Sequence, residues 1–216
     1  MNVNTKHYWD TRFGSGNWEE KNGFSQTRQL TESQMPFFNI PRSFNGSICD
    51  FGCGAGDALP LYRAAWPKST LKGVDISEAA INICSRRFGE IATFRAGDVS
   101  CVPAVDVIIS SNTLEHLDDD KRIAKQLLEK CHDLFIIVPF MEDLSLCKSG
   151  EHVNTYDLDS FDALGRVVTK VYRSKGWGAY GVAALYHIDL KNCMRFLQGQ
   201  KLLKRQYQIM YHISRS

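Results

Sequence analysis

Three groups of residues in this 216-residue chain have the types and spacing to do chemistry. The first is the run Ser47-Ile48-Cys49-Asp50-Phe51-Gly52-Cys53-Gly54-Ala55-Gly56-Asp57, an apolar strand that breaks into three alternating glycines. Glycine lets the main chain take positive φ and lets a ligand approach with no Cβ in the way. A helix is expected from near Asp57 through Leu59, Leu61, Tyr62 and Ala65, so its free N–H groups and positive dipole end face the turn, an arrangement suited to an anionic or carboxylate-bearing ligand. The second group is acidic. Asp75 ends the next apolar run, where a carboxylate can accept both hydroxyls of a ribose. It and Asp98 can equally act as a helix cap or turn former. The third group is His116, after the fourth apolar run, and His152 in Gly150-Glu151-His152-Val153. Either imidazole can move a proton for an acceptor within hydrogen-bond reach, or serve only as a local hydrogen-bonding group.

The elements that must position these groups follow from periodicity. Apolar runs at 48–51, 71–74, 93–96, 105–110 and 134–138 alternate with helical patterns at 58–65, 78–88 and 120–130, the signature of a parallel α/β sheet covered on both faces. Apolar pieces follow at 167–172 and 208–213, with a helical pattern over 183–197 between them. Asp118, Asp119 and Asp120 complement the start of the third helix. Consecutive residues there point in different directions, so they are not expected to share a cation. Cys49 and Cys53 could suggest zinc, but Cys49 lies in an apolar strand and no other cysteine or histidine pair has ligand spacing along the chain, so no metal is expected.

The spacing Gly52-x-Gly54-x-Gly56 departs from the Gly-x-Gly-x-x-Gly of dinucleotide-binding turns, since Asp57 occupies the place of the third glycine. With Thr93-Phe94-Arg95-Ala96-Gly97-Asp98-Val99 and Asp106-Val107-Ile108-Ile109-Ser110-Ser111-Asn112-Thr113-Leu114-Glu115-His116-Leu117 in register behind it, the chain resembles the class I S-adenosylmethionine-dependent methyltransferases over residues 1–140. That resemblance implies a Rossmann-like α/β fold: seven mostly parallel strands in the order 3-2-1-4-5-7-6, the last antiparallel, with helices on both faces. It implies that S-adenosyl-L-methionine is the cofactor. Gly52, Cys53, Gly54 and Gly56 would line its methionine part, Asp75 and Ile76 its ribose side, and Asp98 and Val99 its adenine. Asn112, Thr113 and the 114–117 stretch would sit under the sulfonium and the acceptor. Tyr8, Trp9 and Arg12 match a Tyr-Trp-x-x-Arg pattern of small methyltransferases. Aromatic faces there can attract a sulfonium and the arm can close over the cofactor, or Tyr8, Trp9 and Phe13 can simply pack on the sheet.

Size and composition bound the rest. One domain is expected: an arm over 1–45, a cofactor-binding core over 46–140, and an acceptor-pocket segment with the last two strands over 141–216. Neither an apolar leader nor a membrane-length run is visible, so a cytoplasmic protein is expected. The seven cysteines form no Cys-x-x-Cys pair and read as reduced, mostly buried thiols. Charge is uneven. Residues 1–165 carry 16 Lys and Arg against 23 Asp and Glu, and residues 166–216 carry 10 against one. Such a basic end suits an anionic acceptor such as a sugar nucleotide or phosphate, an anionic membrane surface, or plain solvation.

DNA is not an expected partner. The fourth strand lacks the Asn/Asp-Pro-Pro-aromatic stretch of amino-directed enzymes and the Pro-Cys of cytosine C5 enzymes, and no groove-reading motif is present. The expected activity is methyl transfer to O or N of a small polar acceptor, anionic or carbohydrate-like, with His116 and His152 as catalytic candidates. An RNA or protein methyltransferase acting with a partner, and a cofactor-binding protein without catalysis, are the other readings.

Overall fold

A computed structural model describes residues 3–146, 150–174 and 207–215. The helical pattern expected over 183–197 lies outside the described residues. Seven strands, β1 (Ser47–Phe51), β2 (Thr70–Asp75), β3 (Thr93–Ala96), β4 (Val107–Ser111), β5 (Asp133–Pro139), β6 (Val167–Arg173) and β7 (Tyr207–Ser214), form one sheet in the order β3-β2-β1-β4-β5-β7-β6. The first five pair in parallel, and β7 runs antiparallel between β5 and β6. This is the expected order.

Alternation along the strands divides the core into two layers. Ile108, Leu134, Ile136, Ile209 and Tyr211 face Ala124 and Leu127 of α6 (Asp120–Leu128), with Tyr156 and Phe161 closing that side. Ile109, Phe135, Ile137 and Met210 face the other way, toward Leu59 and Tyr62 of α4 (Leu59–Ala65) and Ile81 and Cys84 of α5 (Glu78–Phe88). Each such side chain taken from water contributes roughly 1.5–3 kcal/mol, so β4 and β5, apolar on both faces, anchor the sheet. Three helices precede it: α1 (Lys6–Gly14), α2 (Asn17–Glu20) and α3 (Gly23–Gln34). Among the described residues no helix is long and apolar enough to cross a membrane.

Several boundaries differ from expectation for identifiable reasons. Strand β4 starts at Val107 rather than Val105, because Val105 N–H goes to Lys130 O and Asp106 turns its carboxylate onto Ser47 N–H (2.7 Å) and Oγ (2.8 Å). Helix α4 starts at Leu59 rather than near Asp57, whose carboxylate instead pairs with Arg87 at 2.7 Å. At α6 the N-cap residue Asp119 makes no side-chain cap bond and pairs with Arg122 at 2.7 Å, while Asp120 is buried. The aspartates there thus serve charge pairing more than capping.

The turn after β1 is fixed by its surroundings. Gly52 has φ +78°, and a Cβ there would lie 2.1 Å from Thr113 Oγ1. Thr113 is itself held against Phe51 O and Ser111 O. Gly52→Ala combines a left-handed conformation with overpacking and is expected to cost about 2 kcal/mol or more, read from the urea midpoint. An unchanged midpoint would mean that the turn is not pinned as described.

Candidate active site

The carboxyl edge of the parallel strands borders a cavity of about 500 Å³. Its floor is the glycine turn. Gly52 and Cys53 N–H both bond to Val74 O, Gly56 N–H to Cys53 O, and Gly54 N–H to Asp75 Oδ2 at 2.8 Å. The donors of the turn are therefore spent within the fold, and of the helix N–H groups expected to face an anion, those of Leu59 and Leu61 bond Gly56 O and Ala58 O. Gly56 stands behind the turn, where a Cβ would press on Cys84 and Phe88, and it does not line the cavity.

Asp75 is buried and uses its two oxygens on Gly54 N–H and on Ser77 N–H at 2.9 Å. Burial pushes its carboxyl up, while those two bonds hold the charged form. A carboxylate has about four acceptor positions, so two remain for hydroxyl donors. The cap of α5 is Ser77, not Asp75. Asp98, exposed on the rim, does cap a turn: it accepts Ser100 N–H (2.8 Å) and Oγ–H (2.6 Å), which hold its carboxyl below the usual range. Beside it, Ile76 and Val99 offer apolar surface to the cavity.

Beyond β4, Asn112 adopts φ +53° and is held by Ile137 O on its N–H and by Gln208 Nε2 on its Oδ1. Gln34 of α3 bonds Ser111 Oγ at 2.6 Å. The next turn, 114–116, is zipped to the segment after β5, since Val153 and Asn154 N–H bond Glu115 O and Asn154 Nδ2 bonds Leu114 O and Leu117 O. This brings His152 onto His116, with ring centroids 4.8 Å apart. Nδ1 of His116 is 2.9 Å from Glu151 O, and Nδ1 of His152 contacts a carboxylate oxygen of Glu142. Burial, and then His152, pushes His116 down to about 4, so it is neutral near pH 7. Glu115 between them is fully buried and both its carboxylate oxygens lack a partner. Burial pushes it up to about 7, against the pull of His152.

The N-terminal arm closes the cavity. Asp10 accepts Ser77 Oγ–H (2.8 Å) and Ala79 N–H (3.1 Å), seating α1 on the start of α5. Glu151 ties the other side. Its carboxylate takes Tyr8 Oη–H and Arg12 Nη1–H, and its carbonyl takes Asn4 Nδ2–H at 2.7 Å. Arg12 lies over the rings of Trp9 (5.6 Å) and Trp18 (5.5 Å). Arg12 is thus one cation that these indoles already face. Trp9 and Arg12 line the cavity; Tyr8 stands behind it as a link to Glu151.

The fold therefore brings His116, His152, Trp9, Arg12, Gly52, Cys53, Gly54, Asp75, Ile76, Asp98, Val99, Asn112 and Thr113 to one cavity and leaves Tyr8 and Gly56 behind it. Gln34 and Gln208 were missed, and Glu115 and Glu151, though inside the stretches singled out around the two histidines, were given no contacts of their own. Glu115 and Glu151 sit beside the two histidines in sequence, and that adjacency is the signal that could have found them.

A model of a methyltransferase domain matches residues 25–166, more than half of the chain. The chain belongs to the class I S-adenosylmethionine-dependent methyltransferases. Among curated relatives, trans-aconitate 2-methyltransferase of Klebsiella pneumoniae (strain 342) is 31% identical over 83 residues, 38% of this chain and 33% of that enzyme. The corresponding enzyme of Afipia carboxidovorans is 32% identical over 97 residues, 42% of this chain and 38% of that enzyme. The chain thus spans about a third of the length of these relatives. Of solved structures, the methyltransferase in a complex with the Haloferax volcanii Trm112 methyltransferase activator superposes with TM-score 0.68 at 12% identity, over 96% of this chain and 98% of that one. The plantazolicin methyltransferase BpumL, solved with S-adenosylhomocysteine, gives 0.57 at 18% identity, over 99% and 96%. These likenesses at low identity show the fold.

The cavity suits the cofactor of this methyltransferase family: a buried carboxylate with spare acceptor positions lies beside a turn without side chains and an apolar rim. When bound, S-adenosyl-L-methionine supplies the activated methyl group.

Two outcomes follow. Asp75→Ala should weaken S-adenosylhomocysteine binding by tenfold or more in calorimetry, because each charged hydrogen bond lost is worth roughly 1–3 kcal/mol; unchanged affinity would place the ribose elsewhere. Asp50, buried in β1, is pushed up to about 7 by burial and by Asp75. The folded state then holds more protons than the unfolded chain between about pH 4 and 7, so stability falls as pH rises through that window. Asp50→Asn should flatten this slope in urea unfolding at pH 5 and 8, and an identical slope would contradict it.

Proposed function

We propose that this chain transfers the methyl group of S-adenosyl-L-methionine to an oxygen or nitrogen of a small polar acceptor, sugar-like, phosphorylated or carboxylate-bearing. The observation that carries the reading is one cavity lined both by the Asp75 and glycine-turn surfaces, which follow β2 and β1, and by the Glu115, His116 and His152 cluster, which follows β4 and β5 on the other side of the strand order. About 500 Å³ is the capacity of a single drug-sized ligand. Shared with a nucleoside, that volume is in keeping with a compact acceptor group.

Asp75 holds the ribose, Ile76 and Val99 flank the base, and Asn112 with Thr113 borders the reacting end. The arm, latched through Asp10 and Glu151, excludes water and holds the acceptor in line, where orientation supplies much of the acceleration. The neutral His116 ring, with its Nδ1 proton directed at Glu151 O, presents its Nε2 lone pair to an acceptor hydroxyl or amine. The trans-aconitate methyltransferases among the relatives are named for a small polar acid, in keeping with this acceptor class.

Release of S-adenosylhomocysteine should be stimulated by members of a panel of small carboxylates, sugars and sugar phosphates; stimulation by RNA alone would overturn the acceptor class. With an acceptor in hand, His116→Ala should lower kcat by about 10²-fold or more while cofactor affinity changes little. Equal loss of both would make His116 a cofactor or structural residue.

A further inference from the structure

Glu115 is the anomaly of the acceptor end. A carboxylate with no exposed surface and no partner on either oxygen is costly unless a cation completes it. Arg12, the nearby guanidinium, is engaged by Glu151 and makes no bond to Glu115. What surrounds Glu115 instead is two imidazoles. One ligand atom each from Glu115, His116 and His152 lies within 4.8 Å of the others, and all three residues line the cavity.

The outer contacts of the two rings point the same way. Metal-binding histidines almost always direct the non-ligating ring N–H to a backbone carbonyl or a carboxylate. Nδ1 of His116 meets Glu151 O and Nδ1 of His152 meets Glu142, one of each kind. Both rings then carry their lone pair on Nε2.

We infer that Glu115, His116 and His152 form a three-ligand site for a divalent transition-metal ion at the acceptor end of the cavity. Two imidazoles and one carboxylate suit Zn²⁺, Mn²⁺, Fe²⁺ or Co²⁺ rather than Mg²⁺ or Ca²⁺, which favour oxygen. Ligands at about 2.1 Å from one ion stand about 3–3.5 Å apart, so the three side chains draw inward on binding. Three protein ligands leave positions open to the cavity, where a hydroxyl or carboxylate of the acceptor can coordinate. With the ion in place His116 Nε2 is its ligand and no longer a free base, so activation of the acceptor passes to the ion, which would select acceptors with an oxygen ligand and favour the deprotonated form of a bound hydroxyl. The sequence carries only the adjacent pair at 115 and 116; the third ligand arrives through the 152–154 zipper, which is why spacing along the chain gave no metal signal. The ion's catalytic part rests on the methyl-transfer reading above; its binding does not.

The test is titration of chelator-treated full-length protein with Co²⁺, followed by visible absorption and calorimetry, with S-adenosylhomocysteine affinity measured in parallel. One Co²⁺ per chain is expected, with ligand-field bands and no near-ultraviolet sulfur-to-cobalt band. Glu115→Gln and His152→Ala should each weaken Co²⁺ at least tenfold, and Glu142→Gln should weaken it by about 10–100-fold through the His152 ring. S-adenosylhomocysteine should still bind Glu115→Gln, which also shows that this variant is folded. Failure of the wild type to bind Co²⁺, binding that none of the variants weakens, or a sulfur-to-cobalt band would overturn the site. Co²⁺ binding without S-adenosylhomocysteine binding would overturn the proposed function and leave the metal site standing.

Discussion

The carboxylate of Asp75 is the constraint on which the cofactor end depends. It lies at the carboxyl end of β2, out of bulk water, and must find hydrogen-bond donors. It takes them from Gly54 and Ser77, the turn after β1 and the cap of α5. Two loops from different crossovers are thereby set against one another, and the glycine turn, already tied to Val74 O, cannot relax outward. A bend without side chains is useful only if its shape is held, and here a charged acceptor holds it.

Glu151 has the matching part at the acceptor end. Through its carboxylate and its carbonyl it joins Tyr8, Arg12 and Asn4 of the arm to His116 of the turn after β4. The arm, the β4 turn and the segment after β5 therefore form one unit, and the cluster of Glu115, His116 and His152 exists because that unit is closed. Opening the arm would expose Glu115 and loosen His116 together. On the proposed function, the same contacts would couple access of an acceptor to assembly of the reacting end.

Much of the fold was legible because its central strands are apolar on both faces. Ile108, Ile109, Phe135 and Ile136 make β4 and β5 plain in sequence, and the glycine turn announces the end of β1. Strand order came from the resemblance rather than from periodicity, since nothing local to residues 207–214 says that they insert between β5 and β6. That Gly52, Asp75 and Asp98 gather at one edge was also readable, as each stands at or just past the end of a strand, and all three line the cavity. The interlocking contacts were not. Gln34 reaches Ser111 over 77 positions, Gln208 reaches Asn112 over 96 and Arg12 reaches Glu151 over 139. Aromatic residues in the arm suggested a surface for a sulfonium or packing on the sheet, and the contact of Arg12 with Trp9, one helical turn away, is a further use that they did not suggest.

The central claim is that the Asp75 end of the cavity holds the ribose of the cofactor and the His116 end receives the acceptor. A crystal structure with S-adenosylhomocysteine tests it most directly. The expected result has both ribose hydroxyls on Asp75, the adenine between Ile76 and Val99, and the sulfur turned toward Asn112 and the Glu115, His116 and His152 cluster. A nucleoside bound with its ribose away from Asp75, or with its sulfur turned from that cluster, would contradict it.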